Sequence, residues 1–152
     1  MVVQVPTSTS ISGAAIITGA SGGIGGAIAR TLAAKGLPIV AHANGNLEAA
    51  KTLVDEIEAA GGRAMAVAAD VTDAAAIEAM VAQVVERFGT IAVLVNNAGV
   101  CTSAAVGEMD AAMIDRELSV NVKSVVLVTQ ACLPHMGEGG AIVNVSSNLA
   151  FA

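Results

Sequence analysis

The stretch Thr18-Gly19-Ala20-Ser21-Gly22-Gly23-Ile24-Gly25 decides the fold of this chain. It follows a short apolar run, 14–18, typical of a buried strand, and leads into 23–35, whose pattern predicts a helix ending at Gly36. Glycines in such a turn let backbone N–H groups approach phosphates, and the helix N-terminus adds a positive dipole end. We therefore predict that this loop binds the pyrophosphate of a dinucleotide.

The alternation of strand and helix continues along the chain. The pattern predicts further strands at 38–43, 64–69, 91–95 and 141–145, and helices at 47–60, 74–88 and 110–136. Strands that are apolar on both faces and separated by helices form a parallel sheet covered on both sides. We predict an α/β fold, a doubly wound parallel sheet of the Rossmann type, with a flexible leader at 1–12 and an incomplete dinucleotide-binding domain at 13–152.

Composition narrows the class of partner. The chain is 55% apolar, 13% charged and carries a formal charge of −6, which argues for a folded protein without a basic surface for nucleic acid. No apolar stretch approaches the roughly 18 residues of a membrane-spanning helix, and the leader has no basic segment before an apolar run, so we predict a cytoplasmic protein with no membrane partner. The histidines and cysteines form no metal-binding pattern, and we predict that Cys101 and Cys132 are free, buried thiols.

A competing interpretation of the glycine loop is a hydrolase. Residues 19–23 also match the nucleophile elbow Gly-x-Ser-x-Gly around Ser21, and Asp70 and His135 follow in hydrolase order. An elbow of that class lies on a central strand with other strands and an oxyanion loop before it, whereas this loop follows the first strand. The dinucleotide site is therefore the preferred prediction, with an α/β hydrolase as the remote alternative.

Four segments resemble the classical short-chain dehydrogenase/reductase family. They are the glycine loop, Ala69-Asp70-Val71, Asn96-Asn97-Ala98-Gly99 and Ile142-Val143-Asn144-Val145-Ser146-Ser147. The 3-oxoacyl-acyl carrier protein reductases look most similar within the family. The resemblance implies an NAD(P)(H)-dependent oxidoreductase that reduces a carbonyl to a secondary alcohol, or catalyses the reverse, on a small-molecule substrate.

The resemblance also implies which residues bind the cofactor. The glycine loop would wrap the pyrophosphate, Asp70 and Val71 would flank the adenine, and Asn97 would brace strand four against strand one. The alternatives are a helix N-cap for Asp70 and a plain turn amide for Asn97. The predicted set is Gly19, Ala20, Ser21, Gly22, Gly23, Ile24, Gly25, Asn44, Asp70, Val71, Asn97, Ala98 and Gly99.

The end of strand two bears on the choice between NADP and NAD. A carboxylate there would hold the ribose hydroxyls of NAD and repel the 2′-phosphate of NADP, but the residue is Ala43. The usual basic partners of that phosphate are missing too, since glycine occupies positions 22 and 45. We predict NADP as the cofactor, with NAD as the alternative.

Two catalytic residues are carried over from the resemblance. Ser147 matches the serine that hydrogen-bonds the substrate oxygen, and Asn121 matches the asparagine whose backbone holds a water in the proton relay; the alternatives are a strand end and a local helix amide. The tyrosine and lysine of the family would follow Ser147 by about a dozen residues, and the chain has no Tyr. The expectation is that this chain belongs to a longer reductase and is inactive alone; the alternative is a truncated, non-catalytic binding protein.

The helical stretch 110–136 predicts self-association. Its valines and leucines cover more of the circumference than one sheet face can bury, which indicates a second buried side. In relatives the corresponding helix packs against a partner's copy, so we expect a homo-oligomer, a dimer or a homotetramer, through 110–136. The alternative is burial under another part of the same protein.

Overall fold

The computed structural model of this chain describes residues 12–147, and all five predicted strands are present. They are β1 (Ala14–Ile17), β2 (Ile39–Ala43), β3 (Ala64–Ala68), β4 (Ile91–Asn96) and β5 (Met136–Asn144). All neighbouring strands pair in parallel, in the order β3-β2-β1-β4-β5. The predicted fold class is confirmed. From β1, the chain adds β2 and β3 on one side of the sheet and then β4 and β5 on the other side. The predicted leader, 1–12, lies outside the described residues except for Ser12.

Five helices accompany the strands in the described part of the chain. They are α1 (Gly23–Ala33), α2 (Leu47–Ala59), α3 (Ala74–Phe88), α4 (Ala111–Leu118) and α5 (Ser124–Cys132). Local chemistry sets several ends: the Asp73 carboxylate accepts from the first N–H groups of α3, and Gly89 takes the left-handed conformation, φ 82°, after its last turn. Gly36 ends the α1 segment in the same way, with φ 88°.

The core lies on both faces of the sheet. On one face α3 and α5 pack Met80, Val84 and Val128 against the strands, and on the other face α1 and α2 bring in Ala29 and Leu53. Because β1 is completely buried, its carboxyl end can be reached from solvent only through the loops that follow the strands. Among residues 12–147, no helix is long and apolar enough to cross a membrane.

The predicted single helix over 110–136 is wrong in detail. The structure divides it into α4, a π-helical turn at Ser119–Lys123, α5 and a short 3-10 turn at Leu133–His135. Hydrogen bonds from residue i to i+5 widen the π turn, and hydrophobic periodicity carries no signal for that change. The sequence pattern therefore locates the helical stretch but misses the break around Asn121.

The last strand begins earlier than the predicted range 141–145. Met136 pairs with Ile91, while the next pair is Ala141 with Val93, so β5 carries extra residues between the two contacts. Gly139 lies in this bulge at φ 80°, a conformation that glycine adopts without strain. The glycine-rich segment 137–140 is thus a bulged part of the strand.

The prediction of two buried thiols is half wrong. Cys132 is fully buried on α5, and burial raises the pKa of its thiol to about 12. Cys101 is exposed, because it lies in the loop after β4 rather than on a core face. Both cysteines are free.

Candidate cofactor and active site

A cavity of about 540 Å³ opens at the carboxyl ends of β1, β2 and β3. Ligands of open α/β sheets bind at this edge, where the strand order changes direction. Three segments predicted to bind the cofactor line the cavity, namely the glycine loop, the turn at Asp70 and the loop at Ala98. The lining residues from the predicted set are Gly19, Ser21, Asn44, Asp70, Val71, Ala98 and Gly99.

The glycine loop packs so closely that two of its glycines leave no room for a side chain. A Cβ at Gly19, where φ is 66°, would lie 3.0 Å from the Cα of Ala98. A Cβ at Gly25 would lie 2.5 Å from the Gly19 carbonyl oxygen. In contrast, a Cβ at Gly23 would meet nothing within 4 Å. Gly19 therefore allows the loop to pack against the segment after β4, and Gly25 allows α1 to pack against the loop, while Gly23 keeps a backbone surface open to a ligand.

The first turn of α1 suits a phosphate. Its N-cap residue is Gly22, which supplies no side-chain cap, so the first backbone N–H groups of the helix are not satisfied by a side chain. Ile24 in this turn is 65% exposed beside the loop. An anionic pyrophosphate would complete the hydrogen bonding of these donors, and this chemistry fits the dinucleotide that the sequence predicts.

Hydrogen bonds of Thr18 and Asn97 hold the start of the glycine loop against the segment after β4. The buried Thr18 hydroxyl accepts hydrogen bonds from the backbone N–H groups of Asn97 and Ala98, both at 2.9 Å. The Asn97 side chain donates in return to the carbonyl oxygens of Thr18 and Gly19. The Asn97 amide therefore ties β4 to β1, as the resemblance implies, and Asn97 is absent from the residues that line the cavity.

His42 joins the glycine loop to the segment before Asp70. It is buried on β2, and its Nδ1 accepts the backbone N–H of Gly19 at 3.2 Å. That bond leaves the proton on Nε2, which donates to the Ala69 carbonyl oxygen at 2.9 Å. Both nitrogens of the neutral ring are used, so a second proton would break the contact with Gly19.

Burial lowers the pKa of His42 below its ordinary value of 6.5, against smaller opposing effects of the Ala69 hydrogen bond and the Asp70 charge. The imidazole of the unfolded chain binds a proton more readily than that of the folded chain. The contribution of His42 to the free energy of unfolding is therefore fully present above pH 6.5, and it is lost as the pH drops through the unfolded and then the folded pKa. We expect His42→Asn to flatten the slope of unfolding free energy between about pH 7 and pH 5, as measured by urea denaturation. His135→Asn, which changes an exposed histidine, is the control. An unchanged slope in His42→Asn would contradict the assignment.

The Asp70 carboxylate is held at the rim of the cavity by its own turn. Its Oδ1 accepts from the backbone N–H and the hydroxyl of Thr72, both at 2.8 Å, and these bonds lower the pKa of Asp70. The N-cap of α3 is Asp73, so the alternative role of Asp70 as that cap is wrong. Asp70 is thus an exposed, ionised acceptor at the position that the resemblance gives to the adenine amine.

Asn121 lies in the π turn and contacts the loop after β4. Its Oδ1 accepts the Val100 N–H at 2.9 Å, and its Nδ2 donates to the Val100 carbonyl oxygen at 2.8 Å. Nδ2 also donates to Glu117 at 2.9 Å. The side chain is occupied by these contacts, so any direct role in chemistry falls to the backbone of Asn121. π turns of this kind are frequent at functional sites.

Ser147 and the remaining predicted residues complete the placement. Ser147 is exposed just after β5, on the same edge of the sheet as the cavity. Ala20, Gly22 and Gly23 line a smaller groove between α1 and α2. The sequence pattern does not predict the hydrogen bonds of Thr18 and His42. A histidine within an apolar strand nevertheless indicates a buried polar side chain that needs hydrogen-bond partners.

The hydrolase alternative does not assemble. Ser21 follows β1 at the carboxyl edge of the sheet, whereas His135 precedes β5 and therefore lies at the opposite edge. The two side chains line separate cavities. Among residues 12–147, no group of three His, Cys, Asp or Glu side chains is arranged to hold a metal ion.

Comparison with known proteins places the chain in a family. The family model for short chain dehydrogenases matches residues 13–152. An uncharacterized oxidoreductase of Methylorubrum extorquens is 46% identical over 133 residues, which cover 88% of this chain and 54% of that protein. A 3-oxoacyl-[acyl-carrier-protein] reductase of Staphylococcus aureus is 39% identical over 135 residues, with 88% and 55% coverage.

A solved structure agrees with these sequence matches. The short chain dehydrogenase of Burkholderia cenocepacia, crystallised in complex with NADP, superposes with a TM-score of 0.87 at 42% identity, over 93% of this chain and 58% of that one. This chain belongs to the short-chain dehydrogenase/reductase family. The predicted family is confirmed, as is the NAD(P) class of cofactor at the level of the family. The chain spans about half the length of the curated relatives it matches.

Proposed function

We propose that the protein is an NADP(H)-dependent reductase of small carbonyl compounds, working also as an alcohol dehydrogenase in the reverse direction. The observation that carries the proposal is the cavity between the glycine loop, the Asp70 turn and the Ala98 loop. When bound there, the nicotinamide dinucleotide supplies or accepts a hydride. The Staphylococcus aureus relative is a 3-oxoacyl-[acyl-carrier-protein] reductase, which supports a 3-oxoacyl thioester as the first substrate to test.

The preference for NADP rests on the end of β2. Ala43 is buried and uncharged, so no carboxylate at this strand end repels a 2′-phosphate. Asn44, Gly45 and Asn46 continue the cavity wall and bring only neutral groups to it. The NADP in the Burkholderia cenocepacia structure supports the same choice.

The residues of the chain would act on the substrate carbonyl as follows. Hydride addition leaves negative charge on the carbonyl oxygen, which needs a hydrogen-bond donor. Ser147 donates through its hydroxyl, and the Asn121 backbone carbonyl holds a water that passes on the proton. The π turn at Ser119–Lys123 supports this role for Asn121, because its widened hydrogen bonding changes the direction and pairing of carbonyl groups.

The test is oxidation of NADPH and NADH by the full-length protein with 3-oxoacyl thioesters and small ketones. We expect turnover with NADPH, and a loss of about 100-fold or more in kcat for Ser147→Ala, because the oxygen loses a preorganised donor. Ser146→Ala changes the neighbouring serine and is the control. Cofactor binding without any turnover would favour the non-catalytic alternative, and no binding of either dinucleotide would overturn the proposal.

Self-association is part of the proposal. Leu118, Val122 and Val126 are each more than half exposed and follow one another at intervals of four residues. Val128 and Cys132, on the other side of the same helical stretch, are buried against the sheet. An apolar stripe opposite the buried face fits an isologous contact with a second copy, and the family is typically oligomeric.

We expect Val122→Asp and Val126→Asp to split the oligomer of the full-length protein, because a contact along the stripe would bury an unpaired charge. Val122→Thr keeps the shape of the side chain and is the control. Sedimentation velocity measures the outcome. Oligomers of unchanged size in both aspartate variants would mean that another part of the same protein covers the stripe.

The proposal includes a cytoplasmic location. Cys101 is a free, exposed thiol, and such thiols are common in reducing compartments.

A further inference from the structure

Glu117 links the loop after β4 to Asn121 in the π turn. It is half-buried in the last turn of α4, four residues before Asn121 and on the same helix face. One carboxylate oxygen, Oε1, accepts the backbone N–H of Thr102 in the loop after β4, and the other, Oε2, accepts Nδ2 of Asn121. One side chain thus holds the loop and the asparagine together.

The carboxylate and the Val100 backbone together determine which way the Asn121 amide points. The Glu117 Oε2 and the Val100 carbonyl oxygen both accept from Nδ2. Oδ1 is then left to accept the Val100 N–H at 2.9 Å. If the amide turned over, both Nδ2 and the Val100 N–H would be donors facing each other.

The loop that Glu117 holds belongs to the cavity. Val100 and Gly99 line it, and a Cβ at Gly99 would lie only 3.2 Å from the Asn121 Oδ1. Anchors at Val100 and Thr102 therefore fix this wall and the π turn as one unit. Cys101, between the two anchors, is exposed and reports on the order of the loop.

We propose that Glu117 is a positioning residue, which locks the Asn121 amide and the loop 99–102 so that the backbone of the π turn stays aligned with the cofactor cavity. Glu117 contacts neither cofactor nor substrate in this role, and the role in turnover rests on the proposed function.

The test compares Glu117→Ala, Glu117→Gln and the control Glu108→Gln, which changes an exposed glutamate in the short turn before α4. Alanine removes both acceptors, whereas glutamine keeps one oxygen for Asn121 and turns its amide donor toward Thr102. We expect hydrogen exchange at the Thr102 amide and alkylation of Cys101 to rise by about tenfold in Glu117→Ala, the size of one charge-assisted hydrogen bond. Glu117→Gln leaves the Thr102 N–H without an acceptor, so exchange there should rise as well, and Glu108→Gln should match the wild type.

Turnover separates positioning from simple support of the fold. In the full-length protein, kcat should fall by about tenfold in Glu117→Ala with partial retention in Glu117→Gln, while the melting temperatures stay close. Exchange and alkylation at wild-type rates in Glu117→Ala would show that Glu117 does not hold the loop 99–102. A loosened loop with unchanged kcat would overturn the positioning role. Failure of the wild type to oxidise NADPH would instead overturn the proposed function. The exchange data would still decide whether Glu117 holds the loop 99–102.

Discussion

Gly25→Ala is expected to destroy the cofactor site. The added methyl group would lie 2.5 Å from the Gly19 carbonyl oxygen and 2.9 Å from the Ala20 Cα, both backbone atoms that cannot move independently of the loop. We expect the free energy of unfolding to fall by about 1–3 kcal/mol, the usual range for overpacking a tight site. The affinity for NADP should fall by about 100-fold, because the phosphate-facing loop has to shift.

Gly23→Ala is the matched control, two residues earlier in the same loop. Its methyl group would meet nothing within 4 Å, so the close packing of the loop is kept. Urea denaturation compares the stability of the two variants, and titration calorimetry measures the affinity of Gly25→Ala for NADP. Equal losses in the two variants would mean that backbone freedom, rather than the contact at Gly25, governs the loop.

Thr18→Val is expected to give the second large loss. Valine has nearly the same shape as threonine, but it cannot accept the hydrogen bonds of the Asn97 and Ala98 N–H groups. An unpaired buried donor costs about 1–3 kcal/mol, and these two are partly buried, so we expect the free energy of unfolding to fall by about 3 kcal/mol in total. Binding of NADP should weaken as well, since Ala98 lines the cavity.

Thr18→Ser keeps the hydroxyl and removes only a methyl group, so it separates the hydrogen bonds from the packing. We expect it to lose about 1 kcal/mol, close to the value for one buried methyl group. Urea denaturation of the two variants decides between the effects. A Thr18→Ser protein as unstable as Thr18→Val would show that packing, and not the hydroxyl, supports the loop.

Sequence patterns predicted the elements whose signals are local. The glycines after β1 and the end of the first helix at Gly36 each depend on a few neighbouring residues, and the structure has them where they were expected. The apolar runs of β1 and β4 were recognised because both faces of these strands are buried. Signals of this kind do not depend on the rest of the fold.

The missed features depend on contacts between distant segments. The π turn around Asn121 forms where the helix also has to hold Val100, and the early start of β5 depends on its pairing with Ile91. Cys101 was expected to be buried because cysteines usually are, but it lies in the loop after β4 and is exposed. Composition and periodicity along one segment cannot contain such information.

The same limit applies within the candidate site. The resemblance to a family gave the residues of the glycine loop and the Asp70 turn, which the structure brings to one cavity. It did not give the roles of Thr18, His42 or Glu117, since each acts on a backbone group of another segment. These supporting contacts become visible only when the strands are assembled.

The bonds between Thr18 and the loop after β4 join groups that are 79 and 80 residues apart in the chain. Closing so long a loop lowers the entropy of the chain before these contacts can stabilise it. The nucleotide cavity should therefore be among the last parts of the protein to form during folding. A dinucleotide present during refolding would leave the early steps unchanged and would stabilise only the completed native state, by mass action.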